Sequence, residues 1–251
     1  MGYALTGGLG WNSGYRYIAI LQIGLTAVLF FSLPLWCGQT KTASKTGAVD
    51  TKADPIPLRH VVSIPGAKEI MITFFCYCAV EQTANLWASS YLVLHQEVSA
   101  EIAASFASLF FFGITAGRFL SGFLTLLLND TQMIRLGQGL IAVGIITLLL
   151  PFGTITSLAG LLLIGLGCAP VYPSIIHATP ANFGEDKSQA MIGVQMASAY
   201  AGTCLMPPVF GLVANHLGIS LLPFYLMVIL IVMVFMHERM FFKIQQKNKV
   251  K

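Results

Sequence analysis

Charged side chains are scarce in this chain. They make up 10% of its 251 residues, against about 25% in an average soluble domain. With 56% of residues hydrophobic, the chain cannot hide its apolar surface in one soluble core, so it reads as an integral membrane protein in contact with a lipid bilayer. The few basic residues sit in loops and the tail, not on one face, so the net charge of +4 gives no sign of a nucleic-acid partner. Cysteine is also sparse. Of Cys37, Cys76, Cys78, Cys168 and Cys204, four lie in apolar segments, and neither a disulfide framework nor a metal site is read from them. His60, His95, His177, His216 and His237 are scattered at helix ends or in loops. No nucleophile–base pair is visible at membrane depth, so neither an enzyme nor a cofactor is expected. The opening MGYALTGGLGWNSGYRY lacks a basic n-region and a clean apolar h-region, so a signal peptide is not expected there.

What the chain has in quantity is long apolar runs, each judged against the ~20 residues that cross a bilayer. The fold class they predict is an all-α integral membrane protein with about seven transmembrane helices. The spans are Tyr15–Trp36, Glu69–Leu94, Ile102–Leu128, Met133–Leu150, Ile155–Thr179, Ala190–Ala214 and Ile219–Met240. A polar stretch, Cys37–Ala67, separates the first two, and another polar loop is expected from Asn182 to Lys187. Gly113, Gly117 and Ser121 recur at four-residue spacing, which lets helix backbones approach closely. Pro170, Pro173 and Pro180 in the fifth span, and Pro207-Pro208 in the sixth, predict bent or interrupted helices.

The second span carries an acid at its middle. At 100° per residue, Phe74, Tyr77, Cys78, Glu81, Asn85 and Ala88 share one face, with Gln82 and Ser89 on its shoulder. A carboxylate at mid-depth is costly and normally faces a protein interior or a water-filled cavity. A purely structural acid that ties helices together is one reading, and a solute or proton site is the other. We take the second, with Glu81 as a ligand of the solute beside Tyr77, Gln82 and Asn85. Gln195, mid-helix on a face of small residues, is a further candidate contact. His177 is read as a packing residue, Trp87 as an interhelix or lipid contact, and Tyr172 and Tyr200 are undecided. Basic residues fall almost wholly on one side of the predicted topology, while Arg16 stands alone on the other beside Glu97 and Glu101. By the positive-inside rule the C-terminus is cytoplasmic and the chain sits in a plasma or cell inner membrane.

At this level the chain resembles the major facilitator superfamily. GRFLSG, Gly117 to Gly122, looks like the cytoplasmic end of the family's eighth helix. GLGCAPVYPS looks like its tenth helix and GVQMASAYAGTCLMPPVFG like its eleventh. AVEQTANLWASSYLV resembles the seventh helix of sugar-type permeases near the fucose permease group. GLGWNSGYRY resembles the external link between helices five and six, with Asn12 in place of the usual Arg. The resemblance runs from helix six to helix twelve, so the chain looks like the second half of a transporter plus one helix. It implies residues 1–36 as the end of the first half, 37–67 as the cytoplasmic link, 68–242 as a six-helix bundle and 243–251 as a basic tail.

The resemblance also implies secondary transport of a small polar solute, with a sugar as the finer expectation and a proton as coupling ion. It implies a missing N-terminal half as partner, and therefore no activity of the chain alone. The fucose group's proton-coupling acids fall in that missing half and are not carried over. Gly117, Arg118 and Gly122 are implied as gate residues, against the plainer reading of Arg118 as an arginine snorkelling to the interface. The alternative reading from topology alone is a seven-helix receptor or sensor. A retinal protein would need a Schiff-base lysine in the last span, and Ile219–Met240 has none.

Overall fold

The computed structural model describes residues 11–43, 58–151 and 153–249, and every element among them is helical. The chain divides into two compact units, Met1–Asp54 and Pro55–Lys251.

The first unit contains α1 (Trp11–Ala43). Its stretch Tyr15–Ser32 is long and apolar enough to cross a membrane. Thr26 and Ser32 turn their hydroxyls back onto the carbonyls of Gln22 and Leu29, both at 2.8 Å, so neither donor is left unsatisfied in lipid. The helix continues past Trp36 to Ala43, into what the sequence reads as loop. Residues 44–57, the middle of the expected 37–67 link, lie outside the described residues.

The second unit opens with a short helix, α2 (Leu58–Ser63). Six long helices follow: α3 (Ala67–His95), α4 (Ala100–Leu124), α5 (Asp130–Leu149), α6 (Thr154–Phe183), α7 (Glu185–Leu217) and α8 (Leu222–Lys249), the last entered through a 3₁₀ turn at Ile219–Leu221. Among the described residues five helices, α1 included, are long and apolar enough to cross a membrane, and Ser108–Leu124 of α4 is a shorter apolar helix. The remaining long helix is α3, which carries Glu69, Glu81, Gln82 and Asn85.

The bundle is two interlocked groups of three. α6 packs on α4 and α5, while α3 packs on α7 and α8. Helix backbones meet through glycine. A Cβ at Gly165 would lie 2.2 Å from the Phe110 carbonyl oxygen, and one at Gly113 would lie 2.4 Å from that of Leu162. Only hydrogen fits there, so the small-residue stripe of α4 does seat on α6. On the other side of the bundle Gly202 of α7 abuts the Phe75 carbonyl of α3, with a Cβ-to-oxygen distance of 2.3 Å.

Two expectations from the sequence are corrected here. The predicted loop Asn182–Lys187 is helical except at Gly184. Gly184 takes φ +97°, a left-handed conformation that ends α6 and starts α7 in one residue. Glu185 and Asp186 then occupy the first turn of α7, where the helix dipole favours acids. The prolines do not interrupt their helices either. α6 runs unbroken through Pro170, Pro173 and Pro180, and α7 through Pro207 and Pro208. Neighbouring side chains donate to the carbonyls beside the α7 prolines. The Tyr225 hydroxyl donates to the Met206 carbonyl at 2.8 Å, and the Trp87 indole donates to that of Pro207 at 3.1 Å. Trp87 is therefore an interhelix contact, packed edge-on against Phe210.

At the end of the bundle that carries Ala67, Leu124 and Phe183, ion pairs join the helices. Glu69 of α3 is buried and pairs with Lys243 and, at 3.7 Å, with Arg239 of α8. Arg135 of α5 makes a bidentate pair with Glu238 of α8, both distances 2.7 Å. The helix of α8 thus extends through most of the stretch read as a basic tail, and its first basic residue there, Lys243, is tied to α3.

Candidate functional site

Glu81 sits half-buried at the middle of α3. Its electrostatic neighbours are the Tyr77 hydroxyl one turn away and the Arg118 guanidinium of α4. Cys78, Cys168 and Tyr172 also lie within its electrostatic reach, and Thr203 of α7 reaches the Cys78 thiol. Three helices, α3, α4 and α6, therefore contribute polar groups around one acid, and α7 approaches through Cys78. The sequence placed Glu81 on its face but could not show which residues of other helices meet it.

The companions of Glu81 fall into two classes. Gln82 and Asn85 are half-buried and make no hydrogen bond among the described residues. Their amides are open to a ligand. Tyr77 is fully packed, with its ring against Phe74 and Tyr172. Its hydroxyl donates to the Cys168 carbonyl at 3.1 Å. The same hydroxyl lies within hydrogen-bonding reach of the Glu81 carboxylate, so Tyr77 braces α3 against α6 and also faces the acid.

Gln195 is completely buried at the α6–α7 contact, away from any open space. The Thr179 hydroxyl donates toward its Oε1 at 3.1 Å and toward the Ile175 carbonyl at 2.9 Å. One proton cannot serve both. The Gln195 Nε2 has no partner, and a half-turn of the amide lets it donate to Thr179, which then donates to Ile175. In that arrangement Gln195 links helices.

Arg118, Gly117 and Gly122 separate by role. Gly117 is buried against α6, where a Cβ would meet the Ala169 side chain at 2.6 Å. Gly122 faces open space. Arg118 and Gly122 line a cleft of about 840 Å³ between α4, α6 and the start of α5. That volume falls within the range of small-molecule pockets. Tyr172 and the buried Ser174 also line it, as do Asp130 and His177 at its outer rim. His177 Nδ1 lies 2.8 Å from Asp130 Oδ2, so the residue read as packing is an exposed partner of the first residue of α5.

Sequence reasoning missed Ser174, Asp130 and Thr179. Asp130 had a usable signal, because Asn129 and Gln132 form a capping box that starts α5 there. Ser174 and Thr179 had none, since their importance comes from what other helices place opposite them.

Comparison with known proteins was made with this geometry in hand. The profile described as Major Facilitator Superfamily matches residues 1–176 and, in a second placement, residues 70–251. Among solved structures the fold is similar to the E. coli fucose:proton symporter, at 21% identity and a TM-score of 0.57, over 71% of this chain and 44% of that one. A structure of the same symporter in the outward conformation gives 19% identity and a TM-score of 0.55, over 71% and 44%. A peptide transporter in complex with alafosfalin gives 19% and 0.59, over 69% of this chain and 38% of that chain. This chain thus spans less than half the length of these transporters. No curated protein matches its sequence.

Proposed function

The chain belongs to the Major Facilitator Superfamily, and from that premise we propose that it serves secondary transport of a small polar solute by alternating access. The observation that carries the reading is Glu81, an acid at the middle of a long helix, with Arg118 of α4 and Tyr172 of α6, both on the wall of the cleft, within its electrostatic reach. An acid at that depth is retained where it contacts solute, ion or water. Glu81 and the free amides of Gln82 and Asn85 are the proposed solute contacts. Tyr77 and Gln195 support them by holding α3, α6 and α7 in register. The stretch from Gly117 to Gly122 is the proposed gate, with Gly117 as the close-packed pivot and Arg118 and Gly122 on the cleft wall.

On this reading the chain supplies residues 68–242 as one six-helix half, joined through 37–67 to the end of another, and ends in a basic tail from 243. The C-terminus is cytoplasmic in the cell's plasma or inner membrane. Alternating access in this superfamily rocks one half against the other around a central site, so a complementary N-terminal half is the proposed partner. The fold likeness to the fucose:proton symporter supports a sugar as solute and a proton as coupling ion.

The test is binding of labelled hexoses and pentoses to the reconstituted chain, followed by flux. A bound solute should lose affinity partly with Glu81→Gln and more with Glu81→Ala, because a polar partner left unpaired costs about 1–3 kcal/mol. Stable variants with unchanged solute affinity remove Glu81 from the site. The chain alone should show no saturable, stereospecific flux, and such flux refutes the two-half reading.

A further inference from the structure

The end of the bundle that carries the Arg135–Glu238 pair also holds a histidine with no place in the transport reading. His237 of α8 is 1% exposed, and neither of its ring nitrogens has a hydrogen-bond partner. A neutral imidazole carries one donor and one acceptor. Both are unmade here, which is costly for a buried polar group. Gln138, one turn along α5 from Arg135, is also buried and leaves its Nε2 without a partner. The joint between α5 and α8 therefore has hydrogen-bonding capacity that this arrangement does not use.

The nearest acid is adjacent in sequence. His237 Nδ1 lies 3.9 Å from Glu238 Oε1, about 1 Å beyond a hydrogen bond. That same oxygen accepts from Arg135 Nε, and Glu238 Oε2 accepts from Arg135 Nη2, both at 2.7 Å. Glu238 and Arg135 are the charged groups in electrostatic reach of His237 among the described residues. α3, which also packs on α8, brings Glu69 to this end, but Lys243 and Arg239 hold that acid. A proton on His237 thus has one acid to face, and that acid is already engaged across the helix joint.

The competition for Glu238 has a direction. Arg135 is 46% exposed, so it can exchange the carboxylate for water. A buried imidazolium has no such recourse, and a buried charge without a partner is far more costly than an exposed one. Glu238 therefore turns to His237 once the ring is charged. A pair between α5 and α8 gives way to a pair within α8. Arg135 keeps its place over the Phe241 ring of α8, 5.1 Å from the centroid, so the joint loosens without coming apart.

We infer that His237 is a proton-binding site that governs the α5–α8 joint. Neutral His237 leaves the Arg135–Glu238 pair intact, and protonated His237 takes Glu238 from it. The inference rests on the geometry of this joint and not on the solute site.

The first readout is the unmutated 251-residue chain, labelled with 15N-histidine in detergent micelles and titrated by NMR from about pH 8 to about pH 5, the range that brackets an ordinary imidazole. The spectrum of His237→Gln identifies the His237 signals. These should titrate. Effects linked through one equilibrium are reciprocal, so Arg135→Gln should raise the proton affinity of His237 about two- to fivefold, the range of an exposed ion pair. Glu238→Gln should lower it, because the opposite charge is gone. A purely structural histidine predicts neither change.

The second readout is the coupling between Arg135→Ala and Glu238→Ala in thermal melts. It should fall by about half or more from pH 8 to pH 5, as an exposed pair loses its acid. In a His237→Gln background it should be the same at both pH values. A His237 ring that stays neutral across the range overturns the inference. So does a proton affinity that Arg135→Gln leaves unchanged or lowers. A coupling that does not fall with pH overturns it, as does one that still falls in the His237→Gln background. None of these results bears on Glu81-dependent solute binding, so the transport reading stands or falls separately.

Discussion

The tightest glycine contact among the described residues offers a sharp test of how the fold is held. Gly165 of α6 lies against α4 so tightly that an added Cβ would sit 2.2 Å from the Phe110 carbonyl oxygen and 3.1 Å from its carbon. Ordinary contact begins at 3.4 Å. The obstacle is backbone, not the end of a flexible side chain, so relief requires α4 and α6 to separate by about 1 Å. Overpacking of this kind costs roughly 1–3 kcal/mol. Helix propensity works the other way, since alanine is favoured over glycine by roughly 0.8–1 kcal/mol in a helix interior. A net loss from Gly165→Ala must therefore come from the contact.

Gly139 of α5 is the control, because nothing lies within 4 Å of its Cβ position. Gly139→Ala should leave stability unchanged or raise it by up to about 1 kcal/mol. The assay is thermal unfolding of the purified variants in detergent, followed by intrinsic fluorescence. Gly165→Ala should melt several degrees below the parent, on the order of 2–4 °C per kcal/mol for a chain of this size. A Gly165→Ala protein that melts with the Gly139→Ala protein would show that α4 and α6 do not meet as described.

Further outcomes follow from single contacts. Glu69→Gln should destabilise the α3–α8 joint by about 1–3 kcal/mol, discounted because Lys243 is 40% exposed and Arg239 54%; a melting curve unchanged by the substitution refutes the joint. Arg135 and Glu238 form an exposed pair, so a double-mutant cycle on Arg135→Ala and Glu238→Ala should return a coupling of only about 0.3–1 kcal/mol. Trp87→Phe removes the donor to the Pro207 carbonyl and should cost about 1 kcal/mol in the same melt. Single cysteines at positions 97 and 247, in a background without native cysteines, should be labelled by impermeant maleimide only from outside and only from inside the cell, respectively. Labelling of position 247 from outside reverses the assigned orientation.

Much of the fold could be read from apolar length and small-residue spacing, because both report on lipid and backbone contact that act locally. The Gly113–Gly117 stripe announced a close helix contact, and α6 supplies it. Helix ends were less legible. One glycine at φ +97° turns α6 into α7, and a polar composition there suggested a loop where the polar residues cap and charge a helix start. Prolines were misread for a related reason. The helices stay continuous through them, and at Pro207-Pro208 the flanking carbonyls are held by Trp87 and Tyr225, which are remote in sequence. The same limit governs the site. Periodicity put Tyr77, Glu81 and Asn85 on one face, but it could not tell a strut from a ligand, nor show that the Tyr77 hydroxyl meets the Cys168 carbonyl of α6 as well as Glu81.

That distinction shows how the acid and the cation come to share a neighbourhood. Glu81 is on α3 and Arg118 on α4, and the strongest packing of these helices is not with each other. α4 is positioned by α6 through Gly113, Gly117 and Gly165, while α3 reaches α6 through Tyr77 and the Cys168 carbonyl. The separation of Glu81 from Arg118 is thus set by how each docks on α6. A substitution that moves α4 off α6 should alter the site without touching either charged residue. Gly165→Ala therefore has a second expected effect beyond its melt. Affinity for a bound sugar should fall along with stability, and by more than in Glu69→Gln, whose joint with α8 lies about three turns along α3 from Glu81. Equal losses in the two variants would mean that global destabilisation, and not the α4–α6 seat, sets the affinity. The loss confined to Gly165→Ala would make the glycine contact a determinant of the binding site as well as of the fold.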